Sequence, residues 1–129
     1  MKKILTLICC TVLLAATSCK KETIVGPGAT TVFTSTTGWA FDTDINAYTT
    51  TVPMPEINSY YNNHGAVLVY LVVTDNTGTS YEQLPDVFDG VTYRAVYTGG
   101  RLYIDAQNAD GSKLGSAPAN INLKVVLVP

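Results

Sequence analysis

VTYRAVYTGGRLYIDAQ, residues 91–107, carries the strongest structural signal in this chain of 129 residues. Two runs of alternating side chains flank Gly99-Gly100, which is typical of a β-hairpin with a two-residue turn. Loop length sets the register of a hairpin. The turn therefore predicts that Thr98 pairs with Arg101.

This register sorts the side chains by character. One face of the hairpin becomes apolar or aromatic, with the pairs Tyr97–Leu102, Ala95–Ile104 and Tyr93–Ala106. The other face carries the pairs Thr92–Gln107, Arg94–Asp105 and Val96–Tyr103. Cross-strand pairs contribute roughly 0.2–1 kcal/mol each. The turn, the alternation and the Arg94–Asp105 charge pair thus agree on one structure.

Five further segments have the β-branched and aromatic content of strands. They are WAFDTD (39–44), AYTTTVPM (47–54), AVLVYLVV (66–73), YEQLPDVF (81–88) and NLKVVLV (122–128). AVLVYLVV is apolar on both alternating faces, which predicts a central strand covered on both sides. A buried helix is the alternative there, but the length of eight residues and the β-branched content argue against it. Pro85 predicts an edge strand or a bulge.

The remaining local signals are turns and one short helix. EINSYYNN, residues 56–63, predicts a helical turn that Gly65 ends. DNTG at 75–78 and NADGS at 108–112 are turn sequences. Short strands separated by turns every 8–12 residues indicate a sandwich or a small barrel. We therefore expect an all-β antiparallel β-sandwich of about 6–8 short strands, with one helical turn near 56–63.

The N-terminus has the pattern of a secretory signal peptide. Lys2 and Lys3 precede an uncharged, mostly apolar run over residues 4–16, and small residues follow it. The run is too short to span a bilayer, which takes about 20 residues. A buried N-terminal helix is the alternative, but such a helix would carry a polar face.

Cysteine occurs at three positions, Cys9, Cys10 and Cys19, and nowhere later in the chain. Residues 16–19, Ala-Thr-Ser-Cys, resemble a bacterial lipobox, although Ala16 stands where a leucine is usual. The resemblance implies that Cys19 becomes the first mature residue and carries lipid chains such as palmitate. More than one chain gives stable membrane attachment, since each buried CH₂ contributes roughly 0.8 kcal/mol. Cys9 and Cys10 would leave with the signal peptide.

The predicted organisation has three parts. Residues 1–18 form the lipoprotein signal peptide, residues 19–30 the lipidated cysteine and a flexible tether, and residues 31–129 the β-sandwich domain. The expected location is the cell envelope, with the protein lipid-anchored in the outer membrane on its periplasmic or surface side. From residue 31 onward, four basic and nine acidic residues give a formal net charge of −5. Such a domain is poorly suited to a phosphate backbone, so we expect no nucleic-acid partner.

Residues with catalytic potential are sparse. The only histidine is His64, and Ser59 nearby lies in no G-x-S-x-G turn. DTDINA at 42–47 begins like a calcium loop, but Ala47 and Pro53 occupy the glycine and glutamate positions of an EF-hand. Asp42 and Asp44 leave a different calcium site open, with a solvated turn as the favoured interpretation. We expect no enzyme activity, no cofactor and no metal site.

Aromatic side chains are the remaining lead toward a ligand. Trp39, Tyr60, Tyr61 and Tyr103 are candidates for stacking on sugar rings, with His64 beside the Tyr60-Tyr61 pair. The alternative is that these tyrosines pack on half-buried faces with wet hydroxyls.

Several segments together resemble a known group of proteins. VPMPEI (52–57), GAVLVYL (65–71), YEQLP (81–85) and INLKVVLV (121–128) are similar to a family of small, uncharacterised lipoproteins from Bacteroidota. Some members carry collagen-like repeats before this domain, but this chain departs from them and has only the short GPG stretch at 26–28. The resemblance covers most of residues 32–129 and implies fold and location, but no agreed activity.

Three functional hypotheses follow. The first is a non-enzymatic, lipid-anchored envelope protein with an interaction or structural role. The second is a surface glycan-binding accessory protein that uses exposed aromatics, and the third is a small hydrolase. Partners under the first two are the membrane, through the lipid on Cys19, and an envelope protein or a glycan.

Overall fold

The computed structural model describes residues 28–129, which fold as a β-sandwich of nine strands and one short helix. The first five strands are β1 (Thr30–Ser35), β2 (Ala40–Asp42), β3 (Ala47–Pro53), β4 (Ala66–Asp75) and β5 (Gly78–Gln83). The last four are β6 (Asp86–Phe88), β7 (Val91–Thr98), β8 (Arg101–Asn108) and β9 (Asn122–Val128). Helix α1 (Ser59–Asn63) lies between β3 and β4. The predicted all-β antiparallel sandwich is confirmed.

The strands form two antiparallel sheets. The four-stranded sheet has the order β1-β9-β4-β5, and the five-stranded sheet has the order β2-β3-β8-β7-β6. The chain passes from one sheet to the other between β1 and β2, β3 and β4, β5 and β6, and β8 and β9. Both sheets therefore contain segments from distant parts of the sequence.

The hairpin β7-β8 has the predicted register. Thr98 pairs with Arg101, Arg94 with Asp105, and Val91 with Asn108 at the far end. Gly100 has a φ of +80°, a conformation that is unfavourable for residues with a Cβ atom. The Gly-Gly signal thus identified a turn that needs glycine at its second position.

The core fills the space between the two sheets. The five-stranded sheet contributes Leu102, Ile104 and Ala106, and the four-stranded sheet contributes Leu123, Val125 and Leu127, all fully buried. Each trio alternates with more exposed residues along its strand, as expected when one face of a sheet is buried. Packing of these two trios holds the sheets together.

The structure has nine strands where six to eight were expected, for two reasons. β1 was not predicted, because Val32 is the one apolar residue that TTVFTS places on the core side. It becomes a strand by pairing along its whole length with β9, about ninety residues later in the chain. YEQLPDVF was predicted as one strand, but the Leu84–Pro85 peptide separates β5 from β6. β5 and β6 are both edge strands, which is one of the two alternatives that Pro85 indicated, and they belong to different sheets.

The expectation that AVLVYLVV is covered on both sides is wrong. Within β4, Val69 and Leu71 are buried in the core, whereas Leu68, Tyr70 and Val72 on the opposite face are only half-buried. The chain between residues 28 and 129 has a single five-residue helix, which is too short to cover this second face. β4 is central in its sheet, yet it presents an apolar surface to the outside.

Helix α1 confirms the helical turn predicted near 56–63. The Asn58 side chain accepts hydrogen bonds from the backbone N–H groups of Tyr60 and Tyr61, at 2.9 and 3.2 Å, and so caps the N-terminus. Gly65 does not end the helix through a left-handed conformation. A Cβ at Gly65 would lie 2.5 Å from the Val128 carbonyl oxygen, so glycine permits a close backbone approach there.

Candidate functional site: an aromatic face on the four-stranded sheet

The outer face of the four-stranded sheet combines strands from four regions of the sequence. The antiparallel register aligns Phe33 of β1, Lys124 of β9 and Tyr70 of β4 in one row across the sheet. The adjacent row aligns Asn122 of β9, Val72 of β4 and Tyr81 of β5. Because side chains alternate along a strand, all these residues point away from the core.

Aromatic rings dominate the middle of this surface. Phe33 is 62% exposed and Tyr81 is 45% exposed, which makes them two of the most exposed large apolar side chains in the described residues. Their ring centroids lie 6.4 Å apart at an interplanar angle of 51°. The two residues belong to opposite edge strands, so the rings lean toward each other over the central strands. We call the surface formed by Phe33, Tyr70, Val72, Tyr81, Asn122 and Lys124 the aromatic face.

A single cation lies within the aromatic face. The Lys124 Nζ is 4.3 Å from the ring centroid of Tyr81 and 5.7 Å from that of Tyr70. Both distances are within the range of a cation–π interaction. Among residues 28–129, the only ion pair is Arg94–Asp105, on the other sheet. No carboxylate of the described residues therefore lies within 4 Å of the Lys124 Nζ.

Two shallow depressions adjoin the aromatic rings. One, of about 360 Å³, is lined by β1 and β9 residues that include Phe33 and Asn122, together with Val72. The other, of about 300 Å³, is lined by β4 residues, by residues 120–122 and by Phe88 of β6, which belongs to the other sheet. Val72 and Asn122 line both depressions, so the two adjoin, and we call them together the strip; Phe33 lines one part of it and Phe88 the other.

The Tyr60-Tyr61 pair has divided roles. Tyr61 is buried in the core, and its hydroxyl donates a hydrogen bond to the Gly28 carbonyl at 3.0 Å. Tyr60 is half-buried and packs edge-on against Tyr61, with ring centroids 5.6 Å apart. His64 is exposed, and its ring lies 5.9 Å from that of Tyr60. Tyr61 is therefore inaccessible to a sugar, whereas Tyr60 and His64 lie at the surface around α1.

Trp39 and Tyr103 lie away from that pair and from each other. Trp39 packs against the core just before β2, and its Nε1 is buried without a hydrogen-bond partner in the described residues. Tyr103 is half-buried on the outer face of the five-stranded sheet, where it pairs with Val96 and Thr51. The five aromatic and histidine candidates from the sequence thus do not form one surface. Their role in binding stays a prediction.

Asp42 ends β2 and Asp44 lies in the turn that follows, where the Asp42 carboxylate accepts a hydrogen bond from the Asp44 N–H at 2.9 Å. Across residues 28–129, no three His, Cys, Asp or Glu side chains come together in a group. The same part of the chain has no helix with the length and apolar character needed to cross a membrane. The signal peptide, Cys19 and most of the tether lie outside the described residues.

The aromatic face was missed from the sequence, although one signal for it was present. AVLVYLVV is apolar on both faces, and no helix in the sequence was predicted to be long enough to cover the second one. Phe33 and Tyr81 gave no such signal, because β1 was not recognised and the pairing of β5 with β4 is needed to orient Tyr81.

No family model, no curated protein and no solved structure matches this chain. The resemblance to Bacteroidota lipoproteins therefore stays a prediction.

Proposed function

We propose that this chain is a lipid-anchored cell-envelope protein whose β-sandwich has a non-enzymatic binding role at the aromatic face. The observation that carries the binding role is the exposure of Phe33 and Tyr81 on a continuous, mostly uncharged sheet surface. Exposed aromatic residues supply large contact areas with few rotatable bonds, and apolar patches of this kind mark interaction sites.

The anchoring part of the proposal rests on the sequence around Cys19. A short apolar run followed by small residues and a cysteine supports export and lipid attachment. Lipid chains on Cys19 would hold the sandwich close to the membrane through the intervening residues. The outer membrane, on either side, is the proposed location.

Fractionation of cells that express an epitope-tagged chain tests the anchor. Cys19→Ser should move the protein from the membrane fraction to the soluble fraction and abolish incorporation of radiolabelled palmitate. Cys10→Ser is the matched control, because it changes a cysteine inside the apolar run and should leave both readouts intact. Membrane attachment and labelling that survive Cys19→Ser would refute lipid anchoring at this residue. Protease treatment of intact cells then distinguishes surface from periplasmic exposure.

The second candidate function is glycan binding at the cell surface, and the composition of the aromatic face favours it. Phe33 and Tyr81 offer ring faces, while Asn122 and Ser35 beside them offer hydrogen-bonding groups. Small polar ligands with apolar ring faces need both kinds of contact in one place. Ser35 and Asn122 pair directly across β1 and β9.

A polysaccharide panel tests this function on the full-length chain in neutral detergent. Phe33→Ser and Tyr81→Ser should each abolish binding to whichever polysaccharide the native protein retains. Val87→Ser is the matched control, since Val87 is an exposed apolar residue on an edge strand of the other sheet. Equal binding by all four proteins would place the glycan site elsewhere, with the surface around Tyr60 and His64 as the next to test.

A further inference from the structure

Lys124 is an isolated charge on the aromatic face. Of the residues that β1, β9, β4 and β5 direct outward, it is the only one with a charged side chain. The acidic residues of β4 and β5 are Asp75, at the hairpin end, and Glu82, which alternates toward the other face. The lysine is not neutralised by a described carboxylate.

This isolation runs against the charge of the domain. Residues 31–129 carry more than twice as many acidic as basic side chains, yet no acidic residue points outward from the four strands around Lys124. The rings of Tyr81 and Tyr70 hold the Lys124 ammonium group at the sheet surface. The lysine side chain therefore loses less conformational entropy when a ligand binds. A cation held in this way is positioned to pair with an anionic group of a ligand.

The strip beside the lysine has the shape for an extended ligand. The two depressions share Val72 and Asn122, and their linings include Phe33 in one and Phe88 in the other. Both are shallow and open along their length, so a chain can lie across them without entering a closed cavity. The exposed amides of Asn120 and Asn122 lie along the strip and can exchange hydrogen bonds with hydroxyl groups.

We propose that the aromatic face binds an acidic polysaccharide whose sugar rings carry carboxylate groups. Ring faces of the sugars stack on Phe33 and Tyr81, a carboxylate pairs with the Lys124 ammonium, and Asn122 contacts hydroxyl groups. This inference rests on the glycan-binding form of the proposed function and names its ligand class. An anionic membrane is disfavoured as the partner, because such surfaces are recognised by clusters of about four to eight basic residues.

Matched acidic and neutral ligands test the charge. The full-length chain in neutral detergent is titrated with polygalacturonate, alginate and hyaluronate, and with their methyl esters, which keep the backbone and remove the charge. The native protein should bind at least one acidic form about tenfold more tightly than its ester, the difference expected for one charge pair. The preference should shrink as salt is raised, since exposed charges are screened.

Two lysine variants locate the effect. Lys124→Met keeps the length of the side chain, and it should remove the preference for the acidic form while leaving ester binding unchanged. Lys113→Met is the matched control, because the Lys113 Nζ also lies over an aromatic ring, 4.0 Å from the Phe41 centroid, but at the other sheet. It should retain the full preference. Urea unfolding curves verify that both variants fold.

The possible results separate this inference from the function on which it rests. Equal affinity for acid and ester forms, lost with Phe33→Ser, would overturn the acidic ligand and keep glycan binding. Binding to none of the six polysaccharides would overturn both. Capture by phosphatidylglycerol vesicles but by no polysaccharide would assign the face to a membrane. Dimer formation that Phe33→Ser abolishes would assign it to a second copy of the chain.

Discussion

Gly65 illustrates how one residue can set the distance between two segments. Its Cα lies beside the last strand and α1, and an added Cβ would meet the Val128 carbonyl oxygen at 2.5 Å and the Tyr61 Cα at 3.2 Å. Both neighbours are backbone atoms, so relief requires a shift of β9 or α1 rather than the rotation of a side chain. Glycine is needed here for space.

We predict that Gly65→Ala lowers the free energy of unfolding by about 1–3 kcal/mol, the usual cost of overpacking. Gly99→Ala is the control, since a Cβ at Gly99 meets nothing within 4 Å. It should change stability much less. Urea denaturation followed by tryptophan fluorescence measures both, and equal effects would show that the close contact at Gly65 is readily relieved.

A second residue-scale effect concerns Glu82. Desolvation raises the pKa of this carboxyl above its ordinary value of 4.5. Two effects of Asp86 raise the pKa further: its carboxylate accepts a hydrogen bond from protonated Glu82, and its negative charge repels ionised Glu82. The pKa of Glu82 is therefore higher in the folded protein than in the unfolded chain. The stabilisation that comes from protonated Glu82 is complete at pH values below the unfolded pKa, and it is lost as pH rises through the folded pKa. At neutral pH, ionised Glu82 therefore opposes folding.

We predict that Glu82→Gln raises the midpoint of urea unfolding at pH 7, and that this gain disappears as pH falls below about 4.5. Glu56→Gln, at an exposed position before α1, is the control and should give no comparable gain. A Glu82→Gln gain that is the same at all pH values would mean that the effect does not come from ionisation.

At the scale of elements, the β7-β8 hairpin combines a turn with a charge pair. The Arg94 Nε and Nη2 donate hydrogen bonds to the same Asp105 oxygen, at 3.0 and 2.6 Å. The Asp105 side chain is 10% exposed, whereas that of Arg94 is 56% exposed. Loss of the arginine therefore leaves a mostly buried carboxylate without its partner, which costs more than an exposed unpaired charge.

We predict a coupling energy of about 0.5–1 kcal/mol between Arg94→Ala and Asp105→Ala in a double-mutant cycle. This is the upper part of the range for exposed ion pairs, because the Asp105 carboxylate is mostly buried. The coupling should fall in 1 M salt, where the Debye length is about 3 Å. Arg101→Ala in place of Arg94→Ala provides the control cycle, and it should show no coupling. A coupling that does not respond to salt would point to packing instead of charge.

At the scale of the whole molecule, the two sheets share one core. Leu102 of the five-stranded sheet and Leu123 of the four-stranded sheet are both fully buried within the same cluster. The chain passes between the sheets four times, so neither sheet is formed from a continuous part of the sequence. We therefore expect the described domain to unfold as one unit.

We predict that Leu102→Ala and Leu123→Ala each lower the free energy of unfolding by about 3 kcal/mol, because each leaves a cavity in the same core. Circular dichroism and tryptophan fluorescence should report coincident transitions for both variants. The control is Val96→Ala, at an exposed position of β7, which should have a small effect. Two separate transitions in either variant would contradict a shared core.

The sequence alone was sufficient for the features that depend on neighbouring residues. The β7-β8 register follows from a two-residue turn and from alternation, so Gly99-Gly100 and the Arg94–Asp105 pair could be interpreted without a structure. The turn at residues 75–78 and helix α1 were predicted for the same reason, since their signals lie within a few residues. Strand composition and frequent turns were enough for the sandwich class.

Pairing between distant segments determined the rest. TTVFTS has little apolar character toward the core, and it becomes β1 only because β9 provides hydrogen-bonding partners for it. The aromatic face likewise exists only after β1, β9, β4 and β5 have assembled, because Phe33, Lys124, Tyr70 and Tyr81 belong to four different strands. No local pattern records which strands become neighbours in a sheet. The hairpin and the fold class were therefore accessible from the sequence, whereas the candidate binding surface required the three-dimensional arrangement of the sheet.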